Sequence, residues 1–88
     1  MTYRVVFSKS AKRQIDKPSE DDRIRIRERI KELMVEPSKY GKPLTGAFGA
    51  RNVWSSRVGN YRILYVIFEE KKEVLVIRVD LGRRVYRL

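Results

Sequence analysis

The side chains best placed to act on a ligand are arginines. Arg57 and Arg62 flank Gly59-Asn60 in "RVGNYRILYVI" (residues 57–67), and Arg83, Arg84, Tyr86 and Arg87 crowd the terminal "GRRVYRL". A two-residue turn at Gly59-Asn60 pairs Val58 with Tyr61 and Arg57 with Arg62, so that two guanidinium groups face each other across a hairpin. Like charges opposed across strands repel. The pair therefore calls for a neutralising anion, a nucleic-acid phosphate or an acidic partner, and forked guanidinium donors suit phosphate oxygens. The chain has no histidine and no cysteine. Imidazole bases, Ser-His-Asp chemistry, thiolate zinc sites and disulfides are thereby excluded, and any catalysis falls to Arg, Lys, Tyr, Ser or carboxylates.

Charge supports the same direction. Twenty-one Lys and Arg against 11 Asp and Glu leave a formal charge of +10 on 88 residues, which points to a polyanion or an acidic protein as partner, nucleic acid first. A highly charged surface serving only solubility and ion-pair networks is the plainer alternative. Against it, no acidic residue lies between Glu36 and Glu69, whereas Lys39, Lys42, Arg51, Arg57 and Arg62 do. The positive field is concentrated on one loop and one hairpin, as a phosphate-tracking surface requires.

These groups need a scaffold, and 88 residues make a single domain, 1–88, with one modest core. "TYRVVF" (2–7) reads as a strand, Ser8 as the N-cap of a short helix stopped by Pro18, and Ser19 with Asp22 as the start of a longer helix ending before Pro37. In the longer helix Ile26, Ile30, Leu33 and Met34 form an apolar stripe, Asp21/Arg25 and Glu28/Lys31 are spaced for ion pairs, and the charged residues read as a solvated face. Residues 37–51 read as loop with Leu44 and Phe48 tucked inward; strands follow at 52–58, 60–68 and 73–80. Fold class is thus α+β in the order β-α-α-β-β-β, an antiparallel sheet with both helices on one face. Trp54, Ile63 and Tyr65 share the core side of the hairpin, while Arg62 ends a face that also carries Leu64, Val66 and Phe68. No apolar run approaches a membrane span, and the N-terminus lacks a signal-peptide core. A soluble, cytoplasmic protein without membrane contact is expected.

The core "RVGNYRI", preceded by "KPLTG" and "VW" and followed by "VLVIRVD" and "RRVYR", resembles the RelE/ParE toxin superfamily, and most of all its RelE-like members, over almost the whole chain. The resemblance implies a type II toxin–antitoxin toxin: a metal-independent, cofactor-free endoribonuclease that cuts mRNA in the ribosomal decoding site. It further implies restraint by an acidic RelB-like antitoxin and contact with operator DNA only through that complex. The family's central arginine maps onto Arg62 and its terminal tyrosine onto Tyr86. Where family members carry basic residues, this chain has Val53, Ser55 and Gly82, so that Arg83 or Arg84 must stand in for the arginine missing at 82. A ParE-like or catalytically degenerate member acting by protein binding, and a plain basic RNA-binding protein, are the alternatives.

Cleavage by RNA's own 2′-hydroxyl needs a base, a proton for the leaving oxygen, and cations over the phosphorane. Arg62, assisted by Arg57 and Arg83, is read as holding the scissile phosphate by forked hydrogen bonds. Tyr86, whose phenol ordinarily titrates near about 10, becomes the base, its pKa lowered by neighbouring arginines. Arg84, Arg51 and Lys42 complete the expected RNA-contacting set.

Overall fold

The computed structural model describes residues 2–44 and 53–84. The elements are β1 (Arg4–Phe7), α1 (Lys9–Gln14), α2 (Glu20–Val35), β2 (Lys42–Pro43), β3 (Val53–Val58), β4 (Tyr61–Phe68) and β5 (Glu73–Leu81), and the strands form one sheet in the order β1-β5-β4-β3-β2. Both helices start where their caps predict. The Ser8 hydroxyl accepts from the Ala11 amide at 3.1 Å and the Ser19 hydroxyl from the Asp22 amide at 3.4 Å, each satisfying a donor that the first helical turn leaves without a partner. Along α2, Ile26, Ile30 and Leu33 are buried against the sheet. Arg25 pairs with Asp22 rather than with Asp21, and Lys31 with Glu28.

The sheet is mixed, not purely antiparallel. β3, β4 and β5 make the expected antiparallel meander, but β1 lies parallel to β5, with Arg4, Val5, Val6 and Phe7 opposite Glu73, Val74, Leu75 and Val76. Hairpin turns dictate antiparallel neighbours, whereas β1, separated from β5 by two helices and three strands, is free to lie parallel to it. The 37–51 segment also yields the short strand β2, which pairs with β3 through Lys42–Ser55 and Pro43–Trp54. A lysine and a proline on so short an edge strand blunt further strand addition.

The main core lies between the helices and the sheet, built on Ala11, Ile26, Ile30, Leu33, Ile63, Tyr65, Val74, Val76 and Val79, and a smaller cluster buries Val53 and Leu64 with Leu44, Val66 and Ile77. Trp54 joins the main core half-buried, its ring stacked on Tyr65 with centroids 6.4 Å apart. The opposite face of the sheet carries no helix among the described elements. Cross-strand neighbours there form rows: Arg57–Arg62–Asp80, then Lys42–Ser55–Leu64–Arg78, then Val53–Val66–Leu75–Val6. The open face is therefore basic at one end and aliphatic at the other.

Candidate phosphate-binding face

The hairpin between β3 and β4 has the anticipated register, with Val58 opposite Tyr61 and Arg57 opposite Arg62. Gly59 at φ 59° opens the turn, and positive φ at the first of two central residues is the type II′ geometry whose twist matches the flanking strands. Arg57 Nε donates to the Gly59 carbonyl at 3.2 Å, and Arg62 Nη1 lies 3.4 Å from the Ser55 hydroxyl. Among the described residues neither arginine has a carboxylate within 4 Å. Two adjacent cations thus hold only neutral partners, leaving most of their donors for an incoming anion.

Arg57 and Arg62 form the ridge between two cavities. One, of about 490 Å³, is lined by both arginines with Gly59, Asn60, Leu81 and Arg83. The other, of about 690 Å³, runs from the same pair past Ser55 to Lys42, Lys39 and Arg29. Its far wall is the 37–44 segment, tied to the core by two bonds: Tyr65 donates its phenol to the Pro37 carbonyl at 2.7 Å, and Ser56 its hydroxyl to the Tyr40 carbonyl at 2.6 Å. Gly41 passes so close that a Cβ there would stand 2.0 Å from the Tyr65 oxygen. The wall carrying Lys39 and Lys42 is therefore built, not draped.

Arg29 overturns the expectation of a wholly solvated charged face on α2. Its Nη1 donates to the Ser56 hydroxyl and to the Arg57 carbonyl, both at 2.8 Å, while Nε meets Glu32 at 3.0 Å. Its place in the sequence could have shown this: Arg29 follows Ile26 by three residues and precedes Ile30, inside the apolar stripe.

The β5 strand is irregular in a way the alternation hides. "EVLVIRVDL" on a strict period of two would send Val74, Val76, Arg78 and Asp80 to the same side. Instead the register against β4 shifts between Leu64, opposite Arg78, and Tyr65, opposite Val76, leaving Ile77 as an extra residue. This bulge returns Val79 to the core and turns Arg78 and Asp80 to the open face beside Arg62. Helix α1 closes the bulge: Ser8 donates its hydroxyl to the Ile77 carbonyl at 2.9 Å, and the Val79 amide donates to Gln14 Oε1 at 2.8 Å.

Beyond β5, the Gly82 amide donates to the Asn60 carbonyl at 2.8 Å, and a Cβ on Gly82 would sit 3.5 Å from Arg62 Nε, an ordinary contact. Arg83 reaches the Arg57/Arg62 cavity, whereas Arg84 lines a separate cavity of about 200 Å³ with Gln14, Lys17 and Tyr61. Of the expected RNA-contacting set, Arg57, Arg62, Arg83 and Lys42 are thus assembled on one surface and Arg84 is not. Arg51, Phe48, Tyr86 and Arg87 lie outside the described residues. Among the described residues no group of three or more His, Cys, Asp or Glu is placed to hold a metal, and no helix is long and apolar enough to cross a membrane.

A small mixed sheet backed by two helices, with an arginine hairpin exposed on its free face, is the build of a type II toxin–antitoxin toxin, and comparison with known proteins agrees. The family model for the ParE toxin of type II toxin–antitoxin systems, parDE, matches residues 5–86. Toxin RelG of Mycobacterium tuberculosis is 34% identical over 88 residues, covering 99% of both chains. A chain of the RelBE2 toxin–antitoxin complex of the same organism superimposes with a TM-score of 0.81 at 33% identity, over 92% of this chain and 99% of that one. The isolated Escherichia coli RelE toxin shares the fold with a TM-score of 0.78 at 24% identity, over 93% and 86% of the two chains. The chain belongs to the RelE/ParE superfamily of toxins, on its RelE side.

Proposed function

We propose that this toxin is a metal-independent endoribonuclease that cleaves mRNA in the decoding site of the ribosome. The observation that carries this reading is the Arg57–Arg62 pair, opposed across a hairpin without a carboxylate partner among the described residues and set between two basic cavities. A single strand laid along the open face would place one phosphate on the ridge and its neighbours in the flanking clefts. The 2′-hydroxyl gives its proton to the base as its oxygen attacks phosphorus, the bond to the 5′-oxygen breaks with that oxygen taking a proton from water, and a 2′,3′-cyclic phosphate remains on the upstream fragment. Charge grows on the non-bridging oxygens as this happens, and forked arginine donors bind that state more strongly than the ground state. Arg62, Arg57 and Arg83 take this role; Tyr86, onto which the resemblance maps the family's terminal tyrosine, is the candidate base. The base form of a tyrosine, the phenolate, is scarcely populated near neutral pH, so external alignment of the 2′-hydroxyl must supply much of the rate, which suits a ribosome-bound substrate.

The open face also suits a restraining partner. Its aliphatic row, in which Val66, Leu75 and Val6 keep accessible surface while Val53 is buried, lies next to the basic rows, so a chain with an apolar helix and acidic residues would cover both at once. The M. tuberculosis RelBE2 and E. coli RelBE structures are of toxin–antitoxin complexes. An acidic RelB-like antitoxin is therefore the expected partner, with operator DNA reached only through the complex, and a cytoplasmic location follows from a ribosomal target.

A second reading, a ParE-like toxin acting by binding a protein, is favoured by Ser55 and Gly82. Both sit beside Arg62 where a further cation would be expected in a nuclease. Primer extension on a translated mRNA in a cell-free system separates the two. New 5′ ends inside ribosome-occupied codons, absent with Arg62→Ala and Tyr86→Phe, support the nuclease; uncut message with folded protein supports the binder.

A further inference from the structure

The basic end of the open face holds one acid among its described residues, and it stands directly opposite Arg62. Cross-strand partners in an antiparallel pair have Cβ atoms about 4.5–5.5 Å apart, so Asp80 on β5 is within easy reach of the Arg62 guanidinium on β4. The two do not meet. Asp80 Oδ2 faces Arg78 Nη2 at 3.7 Å, and Oδ1 accepts from the Leu81 amide at 2.7 Å. Arg62 meanwhile turns toward β3 and the Ser55 hydroxyl. Arg78 is itself confined: its Nε is buried without a hydrogen-bond partner among the described residues, and its side chain is only 26% exposed. A guanidinium so placed is costly to keep, and neither the core nor the phosphate ridge uses it. The Ile77 bulge brings it to the open face at all.

We propose that Arg78 is a positioning residue for Arg62: by occupying Asp80 it keeps that carboxylate from neutralising the phosphate-binding arginine. Without Arg78, Asp80 turns to its cross-strand neighbour, and the ridge loses one of its two cations to an internal ion pair. The inference rests on the reading of the ridge as a phosphate site, and the experiment keeps the two apart.

The probe is a short single-stranded RNA with 2′-O-methyl groups, which can bind but cannot be cleaved, titrated by fluorescence anisotropy over a range of salt. Arg78→Met retains the buried stem and should weaken binding roughly tenfold, the order of one charge-assisted contact. The slope of log affinity against log salt should shrink by about 0.7, one phosphate contact on a single strand. Adding Asp80→Asn to Arg78→Met should restore both affinity and slope, and Arg78→Met should have no further effect in an Arg62→Ala background. A crystal structure of Arg78→Met should show Asp80 within 4 Å of Arg62.

Failure of the Asp80→Asn rescue would make Arg78 a direct RNA ligand or a purely structural residue and overturn the proposal. An equal loss from Arg78→Met with or without Arg62 would reduce its role to a general contribution to the field, with the same result. Binding that is unaffected by Arg62→Ala alone would instead refute the phosphate-site reading, and the proposal with it. If Arg78→Met does not fold, Arg78→Gln takes its place, removing the charge while keeping a long polar stem: the same loss of binding and the same rescue by Asp80→Asn are expected, and unchanged binding would count against the proposal.

Discussion

Arg57 and Arg62 are directly opposed across the β3–β4 hairpin, on the face of the sheet away from both helices. Replacing Arg57 with Gln should stabilise the ligand-free fold by roughly 0.2–1 kcal/mol at low salt, the worth of a cross-strand charge pair, while weakening RNA binding. Thermal melts with and without added sulfate read the balance. The anion should raise the wild-type melting temperature more than that of the variant, and equal shifts would mean the pair does not gather anions.

Gly41 and Tyr65 compete for one small space behind the second cavity. Gly41→Ala places a methyl 2.0 Å from the Tyr65 oxygen and 3.0 Å from the Ser55 carbonyl, and should cost about 1–3 kcal/mol as overpacking. Tyr65→Phe alone strips the Pro37 carbonyl of its donor, a loss of about 1–3 kcal/mol. Their combination should cost clearly less than the sum, because the phenol is absent when the methyl arrives. Urea denaturation of the three variants measures the coupling.

Burial pushes the Tyr65 phenol well above its ordinary value of 10.0, against a smaller opposing pull from Arg29. The neutral form is therefore favoured in the folded state. Its contribution to stability is complete below about pH 10 and lost as pH rises from there toward the folded-state pKa. Alkaline denaturation should be shallower in Tyr65→Phe than in the wild type above pH 10, and absorbance of one tyrosinate should appear only with unfolding. A native-state tyrosinate titration that is present in the wild type and missing in Tyr65→Phe would contradict this.

Gln14 belongs to α1 but serves β5, accepting from the Val79 amide at 2.8 Å. Gln14→Leu leaves that bulge amide without its acceptor and should cost about 1–3 kcal/mol, with faster hydrogen exchange at Val79 than at Val74 or Val76. Uniform exchange along the strand would mean that the bulge does not depend on the helix.

Gly82 touches Arg62 at distances that leave ordinary room for a Cβ, 3.5 Å to Nε and 3.8 Å to Cγ. Gly82→Arg should fold normally and add a cation to the cavity lined by Arg57, Arg62 and Arg83. RNA affinity should rise with a salt slope steeper by about 0.7. Unchanged slope would show that position 82 does not face the bound strand.

Local rules were enough to read much of this molecule from its amino acids. Ser8 and Ser19 announce both helix starts because a cap is settled within three residues, and Gly59-Asn60 specifies the Arg57–Arg62 opposition because a tight turn leaves one register. The excess of positive charge and the motif around Arg62 pointed to the toxin family for the same reason: both are properties of the chain itself. What tertiary structure decided is non-local. The parallel course of β1 beside β5 joins the first and last strands across every element between them, and the partners of Arg29 lie 27 and 28 residues away. The extra residue at Ile77 is invisible to a period of two, yet it decides that Arg78 and Asp80 face the ridge rather than the core. Burial enforces that choice: with Val74 and Val76 already packed inward, the strand must slip by one so that Val79 follows them and the two charges do not.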